Sequence, residues 1–296
     1  MNNGKAVRPA LVYLSAEALG GFPQQATPGA VAIELVHNFA LVHDDIIDRD
    51  SFRRNRHTLW KKFGIGPALL TGDGLHILAI DTLLDPGTAR ARTAVGLLTR
   101  AMIATLHGQA HDMGFPHRPW SGPTAVTPEE YRQAAGAKTG ALIACSAAIG
   151  AVLAGGGGTP RQVARFAAYG RHLGVAFQCT DDVIGLWGKP ETAGKPVGSD
   201  LLEARKTLPI ITALASGTPA AGRLLELLSH SEEGPAADDL PEALDLLEEA
   251  SGRSAAEAQA EHHMTAAVQC LAALPISAAA RDELHAMALY MTRRDR

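Results

Sequence analysis

Two short runs of aspartate stand 137 positions apart in stretches that are otherwise apolar. The first is Asp44-Asp45-Ile46-Ile47-Asp48, within HNFALVHDDIIDRD. The second is Asp181-Asp182, within AFQCTDDVIGLWGKP. Burying an unpaired carboxylate costs on the order of several kcal/mol, so each run demands counter-charge. Two such runs facing each other across a cavity and sharing divalent cations would suit a substrate that carries a diphosphate. Around the first run, Glu34, His37, Leu41, Asp44 and Asp48 follow one another at intervals of 3, 4, 3 and 4. On a period of about 3.6 residues they form a single helical stripe, where a core-facing helix would place apolar groups. Asp44 and Asp48 are one turn apart, and hard oxygen ligands at that spacing suit Mg2+, which takes phosphate oxygens and water as its other ligands. Read alone, the run could equally be a solvated face or a helix cap.

The neighbouring cations favour the chemical reading. Arg53, Arg54 and Arg56 follow the first run directly, and Lys5 and Arg8 lie on one helical turn near the start of the chain. Guanidinium forks and ammonium groups are the usual side-chain partners of a diphosphate. Gln178, Asp181 and Asp182 are spaced i, i+3, i+4 and share a helix face. Lys138-Thr139 opens an uncharged segment, where the lysine either binds phosphate or snorkels to solvent. Lys195 and Asp200 lie in a Gly/Pro-rich stretch that either folds over a phosphate or simply connects helices, and Gln109 with Asp112 reads as a satisfied polar pair.

The elements that must position these groups are helices. The chain has 296 residues, 46% of them hydrophobic and only 5% aromatic, with Ala, Leu and Gly abundant, a mix that favours helices over a β-sandwich. Helices are expected near 6–19, 28–49, 65–84, 88–112, 128–154, 160–186, 204–215, 219–230, 239–269 and 277–293, with no alternating strand. No linker divides them, so one all-α domain over 1–296 is expected. A net charge of −4 gives no nucleic-acid footprint. Cys145, Cys179 and Cys270 lack paired spacing and read as small buried groups in a reducing cytoplasm. The 19 residues from Gly140 to Gly158 carry no charge, but their Ala/Gly content and terminal glycines mark a buried bundle helix rather than a membrane span.

The ordered segments GKAVRP, ELVHNFALVHDDIID, RRNRHT, GDGL, GQAHD, KTGAL, FQCTDD, GKPVGSDL and RKTLP resemble those of the trans-isoprenyl diphosphate synthases, over nearly the whole chain. The resemblance is strongest to bacterial geranylgeranyl diphosphate synthases with DDxxG as second motif. It implies the isoprenoid synthase fold, an antiparallel helical bundle around a central apolar cavity, and a homodimer. It implies Mg2+-dependent head-to-tail condensation of isopentenyl diphosphate with an allylic diphosphate. By motif position, Asp44, Asp45 and Asp48 would hold two Mg2+, and Asp181 and Asp182 a third. Lys138, Lys195 and Arg53 would bind the allylic diphosphate, with Thr139 and Gln178 lining the reacting centre. Lys5, Arg8, His37 and Arg54 would hold isopentenyl diphosphate. Phe39, about 7.5 Å below Asp44 along the helix, would stop the growing chain at C20, with C15 the neighbouring outcome; the plain alternative is that Phe39 only packs the core.

Four positions depart from the pattern. Gly185 stands where many relatives carry a third aspartate, Asn55 and His57 replace residues of RRGxPT, and Arg205 replaces a lysine beside Lys206. The family also usually has a helix before GKAVRP, so Lys5 and Arg8 are expected to be held less firmly here. Two other activities share these motifs: a class I terpene cyclase, which would have no use for the isopentenyl-binding cations, and a non-catalytic subunit of a heteromeric synthase.

Overall fold

The computed structural model describes residues 6–54, 56–188, 197–229 and 235–292. The chain is all-α, as its composition requires. Its contacts group into two compact units.

The first unit holds the residues up to Met102, then Leu142–Gly170 and Cys270–Met287. It begins with α1 (Val7–Glu17) and α2 (Pro23–Ile47). The predicted start of α2 at 28 is five residues late. Pro23 occupies the first turn, where its missing N–H is no loss, and Gln25 Oε1 accepts from the Phe22 N–H at 3.1 Å. After α2 comes an unforeseen hairpin, β1 (Phe52–Arg53) against β2 (Arg56–His57). Two residues per strand are too few for alternation to be read. A left-handed Arg54 (φ 51°) turns the chain, and the Phe52 and His57 rings pack 4.3 Å apart. Then follow α3 (Leu59–Phe63), α4 (Ile65–Leu84) and the first half of α5 (Ala89–Gly114). Helix α4 packs along α2.

The uncharged stretch becomes α7 (Ala141–Leu153), in which every side chain from Leu142 to Leu153 is buried. By length and composition the helical span Pro128–Leu153 could cross a membrane, yet most of it is buried in protein. Small residues set its depth: a Cβ on Gly150 would lie 2.2 Å from the Val12 carbonyl oxygen of α1. The same unit takes the first part of α8 (Pro160–Trp187) and of α14 (Ala278–Thr292), where the buried Tyr169 hydroxyl donates to the Leu284 carbonyl at 2.7 Å.

The second unit holds Ile103–Ala141, Arg171–Gln269 and the residues from Ala288. Helix α6 (Pro128–Ala135) begins at a Thr127 cap, with Thr127 and Glu130 bonding each other's backbone N–H groups. The predicted unbroken helix over 128–154 is interrupted by a π-turn, Gly136–Gly140, that carries Lys138 and Thr139. Single π-turns are favoured at functional sites. The rest of the unit contains α9 (Ser199–Leu202), α10 (Leu208–Ala215), α11 (Pro219–Ser229), α12 (Leu240–Glu249) and most of α13 (Gly252–Ala272). The single helix expected over 239–269 is two, because the chain turns at Ser251 (φ 62°). Leu186, Leu201, Ile210, Leu224, Leu228 and Leu247 form one core of this unit. Phe115, Tyr131, Cys179, Leu208 and Ile211 belong to another.

Candidate active site

In the first unit the last turn of α2 separates its three carboxylates by exposure. Asp44 is half-buried, Asp45 is buried and Asp48, at the C-cap, is exposed. Asp45 Oδ1 accepts from Arg53 Nε at 2.5 Å, and Arg53 Nη2 reaches Asp50 at 3.5 Å. Burial pushes the Asp45 carboxyl up, and the Arg53 hydrogen bond and charge pull part of that back. The hairpin therefore puts Arg53 against α2 as a countercharge, while Arg54 and Arg56 stay exposed.

His37 lies on the same helix, two turns before the carboxylates. Arg8 Nη1 donates to its Nε2 at 3.3 Å. Burial lowers the His37 pKa to about 3, and the charges of Arg8, Arg54 and Arg53 add to the effect. The imidazole is thus neutral, with an acceptor Nε2, among three guanidinium groups. Positive charge of this kind is where an anion would be attracted. Among the described residues the sequence brings Arg8, His37, Arg53 and Arg54 together as expected; Lys5 lies outside them.

Phe39 is 7% exposed. Its ring stacks on His76 of α4 at 5.2 Å and meets His43 edge-on at 4.6 Å. His43 occupies the space a side chain at Gly72 would fill, 2.3 Å from the position of a Cβ there. Spacing alone does not single out these two histidines, since their pairing depends on the register between α2 and α4.

In the second unit the π-turn and α8 build a polar relay. Thr139 Oγ1 donates to Gln178 Oε1 at 2.9 Å, and Gln178 Nε2 donates to Asp182 Oδ1 at 2.9 Å. The contact is close because a Cβ on Gly174 would lie 2.4 Å from the Gly140 Cα. Asp182 is fully enclosed: its Oδ2 also accepts from the Tyr131 hydroxyl at 2.6 Å and from the Leu208 N–H at 3.2 Å. Burial raises its pKa to about 7, against the pull of those donors. Asp181 is the half-buried member of the pair. Lys138 Nζ is held by Asp112 Oδ2 at 2.5 Å. Tyr131 was missed in the sequence, and Asp112 was assigned to Gln109 rather than to Lys138. Lys195 and Asn55 lie outside the described residues.

Gly185 now has a physical reason. A Cβ there would come within 2.3 Å of Asp200 Oδ2, so the Asp200 carboxylate stands where a third aspartate of the motif would project.

The donors suited to Mg2+ are oxygen atoms on Asp44, Asp48 and Asp181. Of the other two aspartates expected as ligands, Asp45 has its Oδ1 bonded to Arg53, and Asp182 has both oxygens bonded to Gln178, Tyr131 and the Leu208 N–H. Among the described residues no three His, Cys, Asp or Glu side chains converge into a ready-made metal cluster. Carboxylate oxygens are the ligand type that Mg2+ takes, alongside phosphate oxygens and water.

An all-α chain with carboxylates at its helix ends and guanidinium groups close by has the side-chain types that a helical enzyme of diphosphate chemistry would use. Comparison with known proteins narrows this. The family profile described as Polyprenyl synthetase matches residues 1–247. The (2E,6E)-farnesyl diphosphate synthase of Mycobacterium tuberculosis is 44% identical over 296 residues, covering 99% of this chain and 80% of that protein. The geranylgeranyl diphosphate synthase of the same species is 39% identical, covering 99% and 81%. Among solved structures, a polyprenyl synthetase from Streptomyces coelicolor superposes with a TM-score of 0.91 at 42% identity, covering 99% of this chain and 86% of that one. The chain belongs to the polyprenyl synthetase family. It has the isoprenoid synthase fold and is a prenyltransferase, a short-chain trans-prenyl diphosphate synthase.

The Asp182 environment gives a testable sign. Its folded pKa of about 7 exceeds the unfolded 3.8, so the folded state binds the extra proton and this stabilisation is lost as pH rises from about 4 to 7. Asp182→Asn removes the titration. Its thermal stability deficit against wild type should therefore widen as pH falls from 7 to 4, and a deficit constant across that range would contradict the assignment. Asp182→Ala, which also strands the buried Tyr131 hydroxyl, should lose about a further 1–3 kcal/mol relative to Asp182→Asn.

Proposed function

We propose that the chain catalyses Mg2+-dependent, head-to-tail condensation of isopentenyl diphosphate with an allylic diphosphate, ending at the C20 geranylgeranyl product. The observation that carries this reading is the group of Arg8, Arg53 and Arg54 around a neutral His37, beside the Asp44–Asp48 turn. It offers one diphosphate seat made of protein cations next to another made for metal ions. A cyclase needs only the second.

In this reading Asp44, Asp48 and Asp181 hold the ions, and Asp45 and Asp182 orient their neighbours. Bound Mg2+ would supply electrostatic stabilisation to the departing diphosphate. Lys138, aimed by Asp112, and Arg53, aimed by Asp45, add fixed positive charge where the allylic C–O bond breaks. Arg8 and Arg54 anchor isopentenyl diphosphate so that its double bond attacks the allylic carbon. Thr139 and Gln178 fix the polar wall at that carbon. The proton lost from the new chain passes to the departing diphosphate, so no protein nucleophile is required. Incubation with Mg2+, labelled isopentenyl diphosphate and each allylic diphosphate tests this: label is expected in a longer diphosphate. Asp44→Asn should lower kcat by at least about 10²-fold. Hydrocarbon released from geranylgeranyl diphosphate alone would instead establish a cyclase, and turnover only with an added partner protein a subunit role.

Phe39, clamped between His43 and His76, supports a floor at C20. The 44% identity to a farnesyl diphosphate synthase supports C15 as the second reading. Phe39→Ala should shift the products to longer chains, and an unchanged profile would remove Phe39 from chain-length control.

A homodimer is part of the same proposal. Phe63, Leu70, Ile77 and Leu84 recur every seven residues along α3 and α4 and are all exposed, Leu70 by 74% and Ile77 by 68%. An apolar stripe of this length is typical of a covered interface. Ile77→Glu should lower the solution mass towards the 31.0 kDa of one chain; a wild-type protein already at that mass would refute the dimer.

A further inference from the structure

In the second unit, a cleft of about 420 Å³ lies between the 119–128 segment and α10. It is lined by Trp120, Val126, Ile211, Leu214 and Leu225, and one charged side chain, Lys206, enters it. The volume falls within the usual range for small-molecule sites. Its wall is firmly built. Arg118 Nε donates to the Thr124 carbonyl at 2.6 Å, its Nη2 to the Ala125 carbonyl at 2.7 Å, and both Nη atoms reach Glu130. The charge of Arg118 is therefore answered. That of Lys206 is not. Lys206 is only 6% exposed, and its Nζ touches the Pro116 carbonyl at 3.4 Å and stands 4.0 Å over the Trp120 ring. Among the described residues no carboxylate pairs with it. Burial, and then the Arg118 charge, pushes its pKa below the ordinary lysine value. A buried ammonium with only a carbonyl and a ring for company is costly unless an anion joins it.

We propose that this cleft binds an anionic amphiphile, a hydrocarbon bearing one carboxylate or phosphate, with its head on Lys206 Nζ and its body between Trp120 and Leu214. The site is built apart from the reacting groups, and it rests on none of the substrate assignments above. Its position gives it a bearing on them. The start of α6 and helix α10 form its walls, and these elements supply the Tyr131 and Leu208 donors that hold Asp182.

The experiment is a fluorescence titration of the full chain with decyl phosphate and with decanoate, both below their micellar concentrations. Decanol serves as the uncharged control. A Trp120→Phe variant isolates the Trp120 signal from Trp60 and Trp187. The expected result is a saturable Trp120-dependent change with one or both anions, none with decanol, and at least a tenfold loss of affinity in Lys206→Met. The relative affinity of the two anions identifies the preferred head group. Without ligand, Lys206→Met should melt no lower than wild type, because removing an unpaired buried charge offsets the lost ring contact; this keeps the variant interpretable. Absence of a saturable signal, equal binding of decanol, or undiminished affinity in Lys206→Met would each overturn the proposal.

Discussion

Positive charge gathered around one neutral imidazole is the constraint on which the first unit turns. The His37 imidazole stays uncharged first because it is buried, and then because the charges of Arg8, Arg54 and Arg53 oppose a further cation there. Arg53 is held by Asp45, which is buried at the end of α2. That ion pair explains why a motif with adjacent aspartates divides its labour. Side chains one position apart on a helix point about 100° away from each other. When Asp45 turns to the hairpin, Asp44 and Asp48 lie on a different face of the helix.

The second unit solves the same problem differently. Among the described residues no cation is bonded to Asp182. It is held by a hydroxyl, an amide and a backbone N–H, and burial leaves it with a pKa of about 7. Such a group is a fixed part of the scaffold, and its donors tie α6, α8 and the start of α10 together. Asp181 is left as the more accessible carboxylate of the pair. In both runs, then, one aspartate is buried against protein donors and its neighbour is the less buried of the two.

Much of this was legible in the sequence because charge in an apolar helix is conspicuous. The stripe through His37, Asp44 and Asp48 and the spacing of Gln178 and Asp182 survive in the structure. What was hidden depends on tertiary register. Tyr131 looks like any aromatic on an amphipathic helix until α8 brings Asp182 to within 2.6 Å. The π-turn was hidden because Ala, Gly, Lys and Thr form a plain helix equally well. It arises from close backbone packing, where a Cβ on Gly108 would lie 2.3 Å from the Lys138 nitrogen. Gly185 read as a missing ligand, and only the position of Asp200 turns it into a vacated place for another carboxylate.

The central claim is that protein cations alone form a diphosphate seat in the first unit. Calorimetric titration of isopentenyl diphosphate into the protein in excess EDTA tests it most directly. Binding should persist without metal, weaken steeply with added salt as charge pairing demands, and drop at least tenfold in Arg54→Gln. Binding that requires Mg2+, or that is indifferent to both salt and Arg54→Gln, would contradict the account.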